Sequence, residues 1–161
     1  MNSTIDISRV IARQAIDLAL NDYTIGIDDR DAARWLNAFH VDAVFDVDFP
    51  RAVLKGHEAI LAWAREAWLF QTISHLTGNH RIEFVDNTHA TGIGRGLGIF
   101  KLEDGTTVLA TARLDDQYES RSGAWKIASR KVFLISSFAL RDATPLILNG
   151  VEVNRDSTKG G

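Results

Sequence analysis

The stretch ATGIGRGLGIFKL, residues 90–102, places glycine at positions 92, 94, 96 and 98, with Phe100 next in the same phase. Successive side chains of a β-strand point to opposite faces, so these four glycines share one face of a single strand. Glycine weakens a strand and commonly marks a bend or a close approach of backbone or ligand. Two readings follow: the glycines let the sheet curl or a neighbour pack closely, or the same curl makes a cone open at one end.

Working outward, residues 73–85, 107–121 and 125–139 read as further long strands, separated by Asp86-Asn87, Asp104-Gly105 and Ser122-Gly123. Those dipeptides are hairpin turn signals, so the second half of the chain is a strongly twisted antiparallel meander. The first half reads differently. Ile7, Val10, Ile11 and Leu18 recur with intervening alanines at helical spacing, predicting an amphipathic helix over residues 5–25 with Gly26 as its breaker. A short helix is expected over 31–39, with Asp28, Asp29 and Asp31 at its positive end. Ala43, Phe45 and Val47 alternate with more polar partners as a strand that Pro50 ends, and 56–71 reads as a third helix. Three helices and a curved sheet make an α+β domain, with the helices covering one concave face.

The chain of 161 residues carries 18 basic and 21 acidic side chains, a net charge of −3, and no cysteine. No clustered basic surface is available for phosphates, so nucleic acid is not an expected partner. The absence of cysteine excludes a disulfide framework, a thiolate metal site and a cysteine nucleophile. No apolar run approaches the ~20 residues of a membrane span, and Asp6, Arg9 and Arg13 break any signal-peptide pattern. The expectation is a cytoplasmic protein without membrane contact, its partner a small molecule or another copy of itself. Residues 154–161 read as a polar tail.

Proton-transfer chemistry falls to His, Asp, Glu, Tyr and Lys. His75 lies inside an apolar strand, Ile73-Ser74-His75-Leu76, either as a hydrogen-bonded core histidine or as a base in a pocket. Strict alternation turns His75 away from Ile82 and Phe84, and a bulge at Thr77-Gly78 would restore the register. His75 and His80 are five apart and should face opposite ways, so no metal site is expected. Asp28 caps the second helix or holds a histidine in one tautomer. Tyr23, five residues earlier, could reach the same pocket, and Arg130 in the last strand requires an anion. Phe45, Phe70, Phe133, Trp35, Trp63 and Trp68 are simplest as core; should the cone stay open, Phe45, Trp68, Phe70 and Phe133 are the expected walls.

The order of these elements, with Tyr23-Thr-Ile-Gly-Ile-Asp28, Gly56-His-Glu-Ala-Ile60, His75 followed by Asn79, and Gly123-Ala-Trp-Lys126 before Arg130, resembles the SnoaL-like branch of the NTF2-like superfamily. The resemblance runs from about Ile7 to Phe138. Within the branch it is similar to the group of hexachlorocyclohexane dehydrochlorinase, scytalone dehydratase and bile acid 7α-dehydratase. It implies a single domain over residues 1–153, a cone-shaped α+β barrel with three N-terminal helices packed on a strongly curved antiparallel sheet. It further implies a cofactor-independent lyase that eliminates from a small, largely apolar cyclic substrate through an Asp28–His75 dyad. Tyr23 matches the dehydratases' tyrosine and Arg130 the dehydrochlorinase's pocket arginine, binding a substrate oxygen or anchoring Asp28. The dehydrochlorinase pattern has Lys where this chain has Tyr23, which favours loss of water over loss of halide. An isomerase of the ketosteroid type and a non-catalytic binding module are the alternatives on the same fold. The resemblance also implies a homo-oligomer, dimer or trimer, formed through the sheet.

Overall fold

Helical periodicity in the first third of the chain and strand periodicity in the last half produce a curved sheet with helices packed in its concavity. The computed structural model describes residues 6–141 and the backbone of two short strands at 146–148 and 151–153; the expected tail at 154–161 lies outside the described residues. The elements run α1 (Ile7–Asp28), α2 (Ala32–Asn37), β1 (Phe39–Asp48), β2 (Arg51–Lys55), α3 (Gly56–Ala67), β3 (Thr72–Phe84), β4 (His89–Lys101), β5 (Thr107–Arg121) and β6 (Ala124–Leu140), then the hairpin β7 (Leu146–Leu148) and β8 (Val151–Val153).

The main sheet has the order β2-β1-β6-β5-β4-β3. β3 to β6 form the expected antiparallel meander, while β1 returns beside β6 in parallel and β2 pairs with β1 at the edge. The edge strands β2 and β3 do not pair, so the sheet is curved but does not close into a barrel. Nor do all three helices precede the sheet: α3 follows β1 and β2. Among the described residues no helix is long and apolar enough to cross a membrane.

Two expectations about α1 are corrected. Its core face is Ile16, Ala19, Leu20, Tyr23 and Ile27, whereas Ile7, Val10, Ile11 and Leu18 are exposed. The helix is apolar on two opposite sides, so periodicity alone could not say which side is buried. Gly26 does not break the helix; a Cβ there would collide with the backbone of Trp35, so its bare surface lets α2 lie directly against α1. α1 ends at Asp28, and Asp31 alone caps α2, accepting from the Arg34 N–H at 3.0 Å. Asp28 is therefore free of the capping role.

An aromatic cluster packs where α1 and α2 meet β1. Trp35, Phe39 and Phe45 are fully buried, and the Tyr23 and Trp35 rings lie 4.7 Å apart. Burying such a side chain contributes about 1.5–3 kcal/mol each, and here that stabilisation ties α1 and α2 to β1.

Candidate active site

β3 delivers the histidine, and a bulge decides which way it faces. Gly78 pairs with Arg95 and Arg81 with Ile93, leaving Asn79 and His80 opposite Gly94 alone, with Asn79 at φ 53°. This is the register shift the sequence required, placed just beyond Thr77-Gly78. Before it, Ile73, His75 and Thr77 face the concave side; after it, His80, Ile82 and Phe84 do. His75 and His80 thus share a face, contrary to expectation, although among the described residues no cluster of three His, Asp or Glu side chains could hold a metal ion.

Asp28, at the last turn of α1, meets His75 through both carboxylate oxygens. The His75 backbone N–H donates to Oδ2 at 2.6 Å, and Nδ1 donates to Oδ1 at 2.5 Å. Because a carboxylate only accepts, this pairing puts a ring proton on Nδ1, so that in the neutral ring the lone pair is on Nε2; His75 lines the cavity. The two side chains are about one-fifth exposed, 21% and 19%, which leaves them partly desolvated yet reachable. One acid holds His75 at two points, its backbone N–H and its Nδ1.

Tyr23 lies five residues before Asp28 on α1, its ring over the Arg130 guanidinium at 4.0 Å. Burial pushes the Tyr23 hydroxyl's pKa up, and the adjacent Arg130 charge pulls the other way. Arg130 does not anchor Asp28. It is fully buried and forks onto Asp116, with Nε and Nη2 each 2.7 Å from a carboxylate oxygen, while Tyr118 donates its hydroxyl to the same carboxylate at 2.5 Å. Burial opposes the Arg130 charge, but Asp116 outweighs it and raises the guanidinium's pKa further. Among the described residues Nη1 has no hydrogen-bond partner. Burial, then the Asp116 charge, raises the Tyr118 phenol. His80 is held below its ordinary pKa, first by burial and then by Arg130.

The cavity beside His75 has two lobes. Tyr23, Phe49, Trp63, His75, Phe100 and Leu134 wall both. The smaller, about 120 Å³, extends past Phe45, Thr77, Gly96 and Val132; the larger, about 290 Å³, extends past Ile27, Phe70, Ile73 and Val108. A belt of small residues across two strands hollows the sheet here: Gly96 pairs with Ala112, and Gly98 with Ala110. Toward the narrow end the inward positions become Leu114, Asp116 and Tyr118, which fill the space. Among the described residues, the one acidic side chain in the walls is Glu66, in the larger lobe, and no Lys or Arg lines either lobe. Such a site suits an uncharged, apolar molecule with few polar atoms.

Of the expected walls, Phe45 and Phe70 line the cavity and two do not. Trp68 turns its Nε1–H to the Ile27 carbonyl at 2.8 Å and packs against the core. Phe133 pairs with Arg113 on the convex face, because Arg130, Val132 and Leu134 take the inward positions of β6. Arg130 itself stands behind the Tyr23 ring rather than in the walls. Asp116 and Tyr118 were not anticipated, yet an acid in phase with Leu114 and Tyr118 on β5 is a signal that a buried cation sits nearby.

The SnoaL-like domain model matches residues 8–131 of the chain. The gamma-hexachlorocyclohexane dehydrochlorinase of Sphingobium indicum is 32% identical over 128 residues, which cover 78% of this chain and 81% of that protein. Among solved structures, a hexachlorocyclohexane dehydrochlorinase (LinA) of type 2 superposes with a TM-score of 0.82 at 27% identity, over 91% of this chain and 100% of the other. A putative scytalone dehydratase from Novosphingobium aromaticivorans shares the fold at a TM-score of 0.77 and 19% identity, over 85% of this chain and 93% of that one.

Proposed function

Because the chain belongs to the SnoaL-like domain family, we propose that it is a cofactor-independent lyase of the dehydratase or dehydrochlorinase type, acting on a small apolar cyclic substrate. The observation that carries this is the two-point clamp of Asp28 on His75 beside an apolar cavity. A binding module would need neither an oriented imidazole nor a bare Nε2.

In this mechanism Nε2 of His75 removes a proton from a ring carbon. The C–H electron pair forms the new double bond as the leaving group departs from the neighbouring carbon with its own pair. Asp28 holds the tautomer that makes Nε2 the base and stabilises the imidazolium that results. Tyr23 hydrogen-bonds through its O–H to the departing oxygen and keeps its proton, and the Arg130 charge under its ring stabilises electron density gathering on the phenol. The proton on His75 then leaves with the expelled group, so that water or hydrogen halide is released in net terms. A positioned base of this kind contributes roughly 10²–10⁴ in rate. Tyr23, a neutral hydrogen-bond donor, suits a leaving hydroxyl.

Incubation with cyclic β-hydroxyketones and with gamma-hexachlorocyclohexane, followed by product mass, tests the proposal. Loss of water or of hydrogen chloride supports it. An unchanged mass with a moved double bond would make the protein an isomerase, and no product from any of these would count against elimination.

We further propose that the convex face pairs with other copies of the chain. Leu76, Ile93, Ile99, Phe138 and Leu140 are exposed on it, beside Arg113, Asp115 and Lys131. An apolar patch carrying both signs of charge is able to face its own copy across a two-fold axis, or to meet a different surface of the next copy in a three-fold ring. Sedimentation should give a dimer or trimer that Phe138→Asp dissociates; a wild-type monomer would refute this.

A further inference from the structure

Three of the four inward glycines of β4 are covered by rings. A Cβ at Gly92 would lie 2.7 Å from the Tyr118 ring, one at Gly98 would lie 2.7 Å from the Phe100 ring, and one at Gly94 would collide with the imidazole of His80. At Gly96 an added Cβ meets nothing within 4 Å, and its backbone is outside the left-handed region that favours glycine. Neither packing nor backbone geometry therefore demands glycine at 96, although glycine weakens a strand. What occupies the space is the smaller lobe of the cavity, with Gly96 in its wall between Thr77 on β3 and Ala112 on β5.

We infer that Gly96 is a specificity-determining residue: the side chain it lacks leaves a slot for the apolar ring of the substrate. At about 120 Å³ the lobe is close to the roughly 150 Å³ at which an apolar cavity binds benzene. It accepts one six-membered carbocycle. The larger lobe, about 290 Å³, takes the remainder of the molecule. His75 and Tyr23 stand in the wall common to both lobes, so the reacting carbons lie where the ring joins its substituent. The substrate class that fits is an uncharged six-membered ring bearing a further apolar or weakly polar group, rather than a single small ring.

This inference rests on the cavity beside His75 being the substrate site, but its test needs no turnover. Benzene is titrated into the full chain and followed through backbone amide shifts. In the wild type the shifts should concentrate at Thr77, Gly96 and Ala112. Gly96→Val should weaken binding at least tenfold while melting close to the wild type, and Ala112→Leu should do the same from the opposite strand. Benzene shifting only Ile73 and Val108 in the larger lobe, or binding Gly96→Val as tightly as wild type, would overturn the inference. So would failure of Gly96→Val to fold, since it would show that position 96 has no free space. Benzene bound in the smaller lobe with no elimination product would instead refute the proposed reaction and leave this assignment standing.

Discussion

Asp116 and Arg130 form the buried ion pair on which the site leans, and removing one partner should be worse than removing both. Their side chains are 0% exposed and joined by two bonds of 2.7 Å, so solvent screening does not discount the interaction. Asp116→Leu leaves a guanidinium with no carboxylate in the core. Breaking such a pair costs about 3–5 kcal/mol, and the orphaned Tyr118 hydroxyl adds about 1–3 kcal/mol. At about 2–4 °C per kcal/mol for a chain of this size, the ion pair alone predicts a fall in melting temperature of about 6–20 °C. The double variant Asp116→Leu/Arg130→Met replaces two charges by apolar groups and should recover much of that loss. Adding Tyr118→Phe removes the last orphaned hydroxyl and should recover more. Differential scanning calorimetry of the single, double and triple variants measures this directly. Should Asp116→Leu melt within about 3 °C of wild type, the loss is near 1 kcal/mol and the pair is not the buried, unscreened one described. A double variant no more stable than the single would likewise refute the reasoning.

Further predictions follow from the dyad and its surroundings. His75→Ala should lower kcat by roughly 10²–10⁴, and Asp28→Asn should fall toward the same level through the wrong tautomer; activity within tenfold of wild type in either would exclude His75 as the base. Tyr23→Phe keeps the ring over Arg130 but removes the donor to the leaving group, so kcat should drop with KM and melting temperature little changed. His80 is held below its ordinary pKa by burial and by Arg130, while in the unfolded chain it titrates near 6.5. As pH falls below about 6.5 the unfolded chain takes up a proton that the folded chain refuses, so this contribution to stability is full above that pH and lost below it. His80→Gln should therefore show a shallower loss of stability between pH 7 and pH 5 in urea titrations, and an unchanged slope would contradict the assignment.

The meander was legible because its turns carry residues that only turns favour. Gly105 and Gly123 have φ of 83° and 82°, and Ser122 has 53°. The Asp28–His75 pairing was legible from residue type and from the family pattern, although 47 positions separate the two. β2 was missed because Pro50 read as the end of a strand, when it stands in the tight turn that starts a five-residue edge. The Asp116–Arg130 pair was hidden by one residue. Arg121 opposite Ala124 at the hairpin would set Asp116 opposite Ser129, but a bulge at Gln117/Tyr118 moves the partner to Arg130. Unlike the bulge beside Gly78, this one has no glycine at Gln117 or Tyr118 to mark it in the sequence. Phe133, by contrast, could have been placed correctly: with Arg130 inward, strict alternation already turns Phe133 out.

In the proposed mechanism Asp28 makes Nε2 of His75 the base, and nitrogen-15 NMR of the imidazole of His75 reads this without a substrate. The wild type should show a proton on Nδ1, shifted far downfield by its carboxylate acceptor, with Nε2 bare in the neutral ring, and Asp28→Asn should lose that downfield proton. A neutral ring protonated at Nε2 in the wild type, or a spectrum that Asp28→Asn leaves unmoved, would contradict it.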